Sequence, residues 1–308
     1  MTEKQNSSGV TAPVASFRDR IAACVAVRRA LIVPGAATAL SARIIADLQF
    51  EAVYVTGAGV TNMYLGLPDM GFLSLTQLAD HTAAIRDAVA LPIIVDADTG
   101  FGNALNVQHT MRVLQRAGAN AIQIEDQVSP KRCGHFAGKD VIPVEEMVGK
   151  IHAAVDARTN KDLLIIARTD ARAVDGFQAA VDRASAYIEA GADITFVEAP
   201  VNLGEMRRIP TLLAAPQVVN MVVGGKTPIV DASELSAMGF AIVLYANAAL
   251  QGAILGMQNA LRELKERGRL DERSAALVSF AERQRLVQKP LYDGMERKYA
   301  RKDEDEGK

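Results

Sequence analysis

Eight short apolar runs, each leading into a stretch of helical periodicity, restrict the fold of this chain more than any other feature. The runs cover residues 31–36, 52–59, 91–98, 121–127, 163–170, 194–200, 217–223 and 240–246. Each is apolar at consecutive positions and rich in Val and Ile, the pattern of parallel strands covered on both faces. Between them, residues 75–89, 107–117, 144–157 and 177–190 carry apolar side chains at helical spacing. Gly118, Gly191 and Gly239 stand just ahead of three runs, where a left-handed residue ends a helix and turns the chain into a strand. Strict alternation through eight strands predicts an α/β fold of the (β/α)8, or TIM-barrel, type. The competing doubly wound sheet loses ground because no Gly-x-Gly-x-x-Gly follows the first run.

A barrel closes in about 250 residues, and this chain has 308. The surplus follows the eighth run, where residues 249–300 predict two or three extra C-terminal helices suited to a cap or an oligomer contact. The expected organisation is a disordered tail over 1–13, one barrel domain with its helical extension over 14–300, and a charged tail over 301–308. A formal net charge of −2 with mixed signs argues against a nucleic-acid partner. Cys24 and Cys133 are the only cysteines, too few for a disulfide framework and suited to a reducing cytoplasm. The polar N-terminus lacks the apolar stretch of a signal peptide. No apolar run reaches the roughly 18–20 residues of a membrane span.

The polar residues gather where a barrel concentrates its chemistry, at the C-terminal strand ends. Strand three ends in Asp96 and Asp98, strand four in Glu125 and Asp126, strand five in Arg168 and Asp170, and strand six in Glu198, while strand seven carries Asn220. So many carboxylates at one mouth would repel one another strongly in a low dielectric. A hard divalent cation resolves that, and an all-oxygen set suits Mg2+, with Mn2+ as the alternative. Asp96 and Asp98, two apart and so on one side of an ideal strand, are candidate metal ligands with Glu125; helix capping is the plainer role for a strand-end Asp. Arg168 is the one basic strand-end residue, placed to grip a substrate carboxylate or phosphate, to pair with Glu198, or both.

The loop after strand four reads Lys131-Arg132-Cys133-Gly134-His135. Two cations and a histidine should lower the pKa of the thiol between them, and Gly134 permits unusual backbone angles. Cys133 is therefore a candidate acid/base group on a loop that closes over substrate, with Lys131 and His135 beside it. Cys24, within an apolar helical stretch, reads as packing.

These motifs, Asp96-Ala-Asp98, Ile124-Glu125-Asp126 and Lys131-Arg-Cys-Gly-His135, resemble the isocitrate lyase/phosphoenolpyruvate mutase superfamily over about residues 31–300. The short cysteine-loop members look nearest: 2-methylisocitrate lyases, 2,3-dimethylmalate lyases, petal-death-type lyases and carboxyphosphonoenolpyruvate mutases. The resemblance implies a barrel whose eighth helix is exchanged with a neighbour, in a homotetramer built from two helix-swapped dimers. It also implies Mg2+ and a small carboxylate substrate related to pyruvate or oxaloacetate. Thr56, Gly57 and Ala58 would offer backbone amides to the 2-oxo acid portion, with Tyr54 near the proton transfer and Asp69 near the metal. Asp96, Asp98 and Glu125 would form the metal shell. Cys133 would protonate the enolate, supported by His135, while Arg168, Glu198 and Asn220 orient substrate. The implied reaction is a retro-aldol cleavage to a 2-oxo acid and a second carboxylic acid, with phosphonate or phosphoenolpyruvate mutase chemistry as the alternative.

Two departures qualify the substrate. Methylisocitrate lyases carry Asn-Ile-Thr-Glu-Phe-Gly after strand seven, where this chain reads Asn220-Met-Val-Val-Gly-Gly-Lys226, with Val223 in place of the Glu of related members. After strand eight, Gln251 stands at the apparent place of an arginine that grips a second carboxylate. A smaller malate derivative fits better than a tricarboxylate. The Gly224-Gly225-Lys226 turn reads either as a phosphate cradle or as a tight turn.

Overall fold

A computed structural model describes residues 16–132, 134 and 138–300. The tails expected at 1–13 and 301–308 lie outside the described residues. The chain opens with α1 (Phe17–Ala26), β1 (Leu31–Ala36), α2 (Ala39–Asp47), β2 (Val53–Val55) and α3 (Gly57–Val60). A π-helical turn over Thr61–Leu65 leads to α4 (Leu75–Ala88), β3 (Ile93–Asp96), α5 (Ala104–Arg116), β4 (Ala121–Glu125) and α6 (Val144–Ala157). Then come β5 (Leu164–Thr169), α7 (Ala171–Val174), α8 (Phe177–Glu189), β6 (Ile194–Val197), α9 (Leu203–Leu212), β7 (Gln217–Asn220), α10 (Ala232–Met238) and β8 (Ile242–Tyr245). Three helices follow, α11 (Ala248–Arg267), α12 (Phe280–Leu286) and α13 (Lys289–Tyr299), as the C-terminal surplus predicts.

The strands pair in parallel in sequence order, and β8 closes on β1 through Leu31↔Ile242 to Pro34↔Tyr245. The predicted TIM barrel is present. Gly118, Gly191 and Gly239 have φ of 101°, 106° and 106°, the left-handed geometry expected where helix gives way to strand.

The barrel lumen is filled by strand side chains facing inward, among them Leu31, Val33, Ile94, Ile166, Ile194, Phe196 and Leu244. Phe17, Ile21 and Cys24 of α1 join that cluster and plug one end. Cys24 is thus a packing residue as predicted, and burial pushes its thiol pKa up. The outward faces of β2–β5 pack against α2, α4, α5 and α6 through Val53, Val95, Ile122, Ile165, Leu78, Met111 and Ile151. Filling both faces of each strand explains why the runs are apolar throughout rather than alternating. It also leaves the open end of the barrel as the place where polar groups converge.

Candidate active site

Two of the sequence's metal candidates meet by a different route from simple strand alternation. β3 ends at Asp96, and Asp98 lies beyond it at φ 48°. A non-glycine residue rarely adopts that left-handed conformation. It turns the chain so that the Asp98 amide donates to Asp96 Oδ1 at 3.2 Å, a bond the Gln123 amide also reaches at 3.2 Å. Both carboxylates face Gly57: a Cβ there would stand 3.1 Å from Asp98 Oδ1 and 3.4 Å from Asp96 Oδ2. Absence of a side chain on Gly57 keeps that space open.

Lys131 reaches into the cluster. Its ammonium pairs with Asp69 and lies 2.9 Å from Asp98 Oδ1. Burial opposes the charge on Lys131, but the surrounding carboxylates outweigh it and raise its pKa well above the lysine range. Burial, opposed by Lys131, pushes Asp98 up to about 7. Glu125 at the end of β4 is raised well above the carboxylate range, first by burial, with Arg168 acting against it. Its Oε1 has no hydrogen-bond partner among the described residues.

Arg168 draws the other acids together. Its Nη1 lies 3.1 Å from Glu125 Oε2, and its Nε lies 2.9 Å from Asp170 Oδ2 and 3.5 Å from Glu198 Oε2. The guanidinium also stands 5.5 Å from the centroid of the Phe196 ring. The pairing with Glu198 expected as the plainer role of Arg168 is therefore present, within a wider set. Tyr54 on β2 is buried, and burial together with the charge on Asp96 raises its phenol pKa well above 10.0. The phenol stays protonated at neutral pH and can donate a proton in a hydrogen bond, but cannot serve as a base.

These groups surround a narrow cavity of about 40 Å3 lined by Tyr54, Thr56, Ala58, Asp69, Asp96, Gly134, Arg168, Phe196, Glu198, Asn220, Val222, Ala246 and Asn247. Most residues singled out in the sequence thus meet at one mouth. Cys133 and His135 lie outside the described residues. Gly134 between them is buried and touches the site: a Cβ would stand 2.4 Å from Arg168 Nη2 and 2.6 Å from Glu198 Cγ. Of the three amides at 56–58, that of Thr56 is already donated to Ala36 O at 3.4 Å. Gly57 and Ala58 open α3, where a helix gives its first amides no internal acceptor.

Sequence reasoning passed over Phe196, Ala246 and Asn247, and named Asp170 at its strand end without giving it a role. Phe196 had a signal, since it lies two before Glu198 and so on the same side of the strand. Val223 and Gln251, where the chain departs from its resemblance, are exposed and do not line this cavity. Residues 223–226 are exposed too, and Gly225 closes a tight turn by donating to Val222 O at 2.9 Å. The tight-turn reading therefore holds over the phosphate cradle.

The donor chemistry fits a hard cation. Among the described residues, no three His, Cys, Asp or Glu side chains are placed to grip an ion together. Mg2+ does not need that, because it keeps several waters and takes one or two carboxylates directly. Asp96 and Asp98 in front of Gly57, with the unsatisfied Glu125 oxygen, supply that kind of set.

A family model described as phosphoenolpyruvate phosphomutase matches residues 21–265. The 2,3-dimethylmalate lyase of Eubacterium barkeri is 44% identical over 258 residues, 84% of this chain and 89% of that protein. The 2-methylisocitrate lyase of Aeropyrum pernix (strain K1) is 46% identical over 241 residues, 78% of this chain and 77% of that protein. A crystal structure of a 2,3-dimethylmalate lyase superposes with a TM-score of 0.86 at 32% identity, covering 96% of this chain and 99% of that one. A phosphonopyruvate hydrolase solved with oxalate and Mg++ superposes with a TM-score of 0.81 at 29% identity, covering 92% of this chain and 99% of that one. The family match runs from within α1 to within α11 and takes in every strand that contributes to the cavity, so this chain belongs to the phosphoenolpyruvate phosphomutase family, in the isocitrate lyase/PEP mutase superfamily.

Proposed function

We propose that this protein is a Mg2+-dependent carbon–carbon lyase. It cleaves a 2-hydroxy dicarboxylate of the alkylmalate type to a 2-oxo acid such as pyruvate and a second carboxylic acid. The observation that carries the reading is the meeting of Arg168 with a buried carboxylate cluster, under a loop whose sequence holds Cys133. The lyases named above, alike across most of the chain, support it.

Asp96 and Asp98 would hold the cation, with Glu125 directly or through water. Mn2+ would serve in its place. When bound, the ion supplies electrophilic stabilisation of the negative charge on the 2-oxo acid portion. The chain's own groups do the rest. Arg168 and the first amides of α3 hold carboxylates, and Asn220 and Glu198 orient the substrate. The 2-hydroxyl passes its proton to one of the cluster carboxylates, the C2–C3 bond breaks, and its electron pair passes to C3 and the carboxylate attached to it. Cys133 then delivers a proton to C3, giving the second acid. Tyr54, held protonated by burial, donates to the oxygen at C2. Lys131 and His135 steady the loop around the thiol.

The lining of the cavity favours a short substrate over a tricarboxylate. Val222, Ala246 and Asn247 at its β7–β8 side carry no charge, which suits an alkyl substituent in place of a third carboxylate. Purified protein with Mg2+ should release a 2-oxo acid from one member of a panel containing malate, methylmalates, 2,3-dimethylmalate, methylisocitrate and oxaloacetate. Silence across that panel together with conversion of phosphonopyruvate to phosphoenolpyruvate would assign the mutase chemistry instead.

We further propose a helix-swapped homotetramer in the cytoplasm. An apolar groove of about 680 Å3 runs beside β1 and β8, lined by Ile32, Leu40, Ile44, Leu48, Met63 and Ala253 among others. α11 does not lie back over the barrel: of its 20 residues only Leu250 is buried, while Ile254, Leu255, Met257, Leu261 and Leu264 are exposed. A neighbour's C-terminal helices would cover both surfaces. Among the described residues no helix is long and apolar enough to cross a membrane.

A further inference from the structure

We propose that Lys139 is a positioning residue whose buried ammonium ties the backbone of Gly134 to the Asp170–Arg168 pair, setting that backbone and the guanidinium in place together. The Lys139 side chain is 1% exposed and Asp170 is fully buried. The ammonium donates to Gly134 O and, at 2.6 Å, to Asp170 Oδ1. Asp170 in turn accepts from Arg168 Nε at 2.9 Å and Nη2 at 3.1 Å.

Asp170 is itself fixed from behind. Its amide donates to Asp126 Oδ1 at 2.9 Å, and Asp126 Oδ2 accepts the hydroxyls of Thr169 at 2.7 Å and Tyr187 at 2.8 Å. The chain of contacts thus begins in the barrel wall, passes through Asp170, and divides to Arg168 on one side and Lys139 on the other. Two further anchors hold the start of the segment. The Gln127 amide brackets Arg132 through bonds of 2.8 and 2.9 Å, and Lys131 pairs with Asp69 and Asp98. Lys139 links the backbone of Gly134 directly to the carboxylate that orients Arg168.

Fold stability does not account for the arrangement well. Replacing a buried ion pair with apolar groups is often neutral or stabilising, so such a pair is weak evidence for a stabilising role. What the ammonium provides is geometric, since one compact charge with three donors can serve a carbonyl and a carboxylate at once. Gly134 lies so close to Arg168 and Glu198 that a small shift of its backbone would move both.

The effect on turnover rests on the lyase reading, but the positioning itself can be read without it. Cys24 is buried, so alkylation of the folded protein by iodoacetamide reports on Cys133. In ligand-free Lys139→Met and Lys139→Gln proteins, the alkylation rate of the folded fraction should rise about tenfold, beyond what the lower melting temperature expected from leaving Asp170 without its ammonium accounts for. In the same variants kcat for alkylmalate cleavage should fall about 100-fold, with KM changed much less. Alkylation rates equal to that of the unaltered protein would overturn the proposal. So would changes in both variants that follow only the loss of folded protein. An unaltered protein with no lyase activity would sink the lyase reading and leave the alkylation comparison intact.

Discussion

Arg168 is where the charges of this site meet, and its neighbours show how little room surrounds it. Gly134 packs directly on the guanidinium, so a single methyl group at that position has nowhere to go. Gly134→Ala should lower kcat/KM by about 100-fold, the scale of an ångström-sized displacement of reacting groups, with little change in melting temperature. Steady-state kinetics beside thermal unfolding would check it. Cys133→Ser should nearly abolish turnover while Mg2+ affinity, read by calorimetry, stays as it was. Undiminished cleavage by that variant would remove the thiol from the mechanism. The gathering of Arg168 and the strand-end acids was legible in the sequence, because a barrel brings its C-terminal strand ends to one mouth. The role of Lys139 was not, since nothing in a loop lysine's sequence context says that its ammonium turns inward.

At the scale of elements, all eight strands fell within the apolar runs, because a parallel strand buried on both faces writes a continuous signal. Their ends were harder to place. The second run extended to residue 59, yet β2 stops at Val55 and Gly57–Val60 turns into helix. Apolar and glycine residues do not separate those two outcomes by periodicity. The pairing of Asp96 with Asp98 was anticipated, but the cause is a left-handed turn after the strand, which spacing alone does not encode. Ion pairs between helices were also invisible in the sequence. Arg172 of α7 grips Glu205 of α9 through bonds of 2.9 and 2.8 Å. Burial raises the Glu205 pKa, but Arg172 and the Val201 amide outweigh it and leave the group below its ordinary value of 4.5. The pair therefore stabilises the fold above that value and loses its effect as pH falls through the lower folded one. Glu205→Gln should cost about 1 kcal/mol at neutral pH, and its melting temperature should converge with that of the unaltered protein in acid.

The molecule as a whole is a closed barrel with one side left apolar and a long helix leaving it. Composition and periodicity announced the extra helices but not which surfaces they would leave open. If a second copy covers the groove beside β1 and β8, then placing Glu at both Leu255 and Leu261 should shift the protein toward monomer. Light scattering on the eluting species would show this, with a lower melting temperature. Unchanged mass would remove α11 from the interface.

The central claim is metal-dependent carbon–carbon cleavage at the barrel mouth. The most direct test follows release of 2-oxo acid from the best alkylmalate of the panel, first with exhaustively chelated protein and then on adding back Mg2+. Loss of cleavage on chelation and its return with Mg2+ is the predicted result. Undiminished release from the chelated protein would contradict the account.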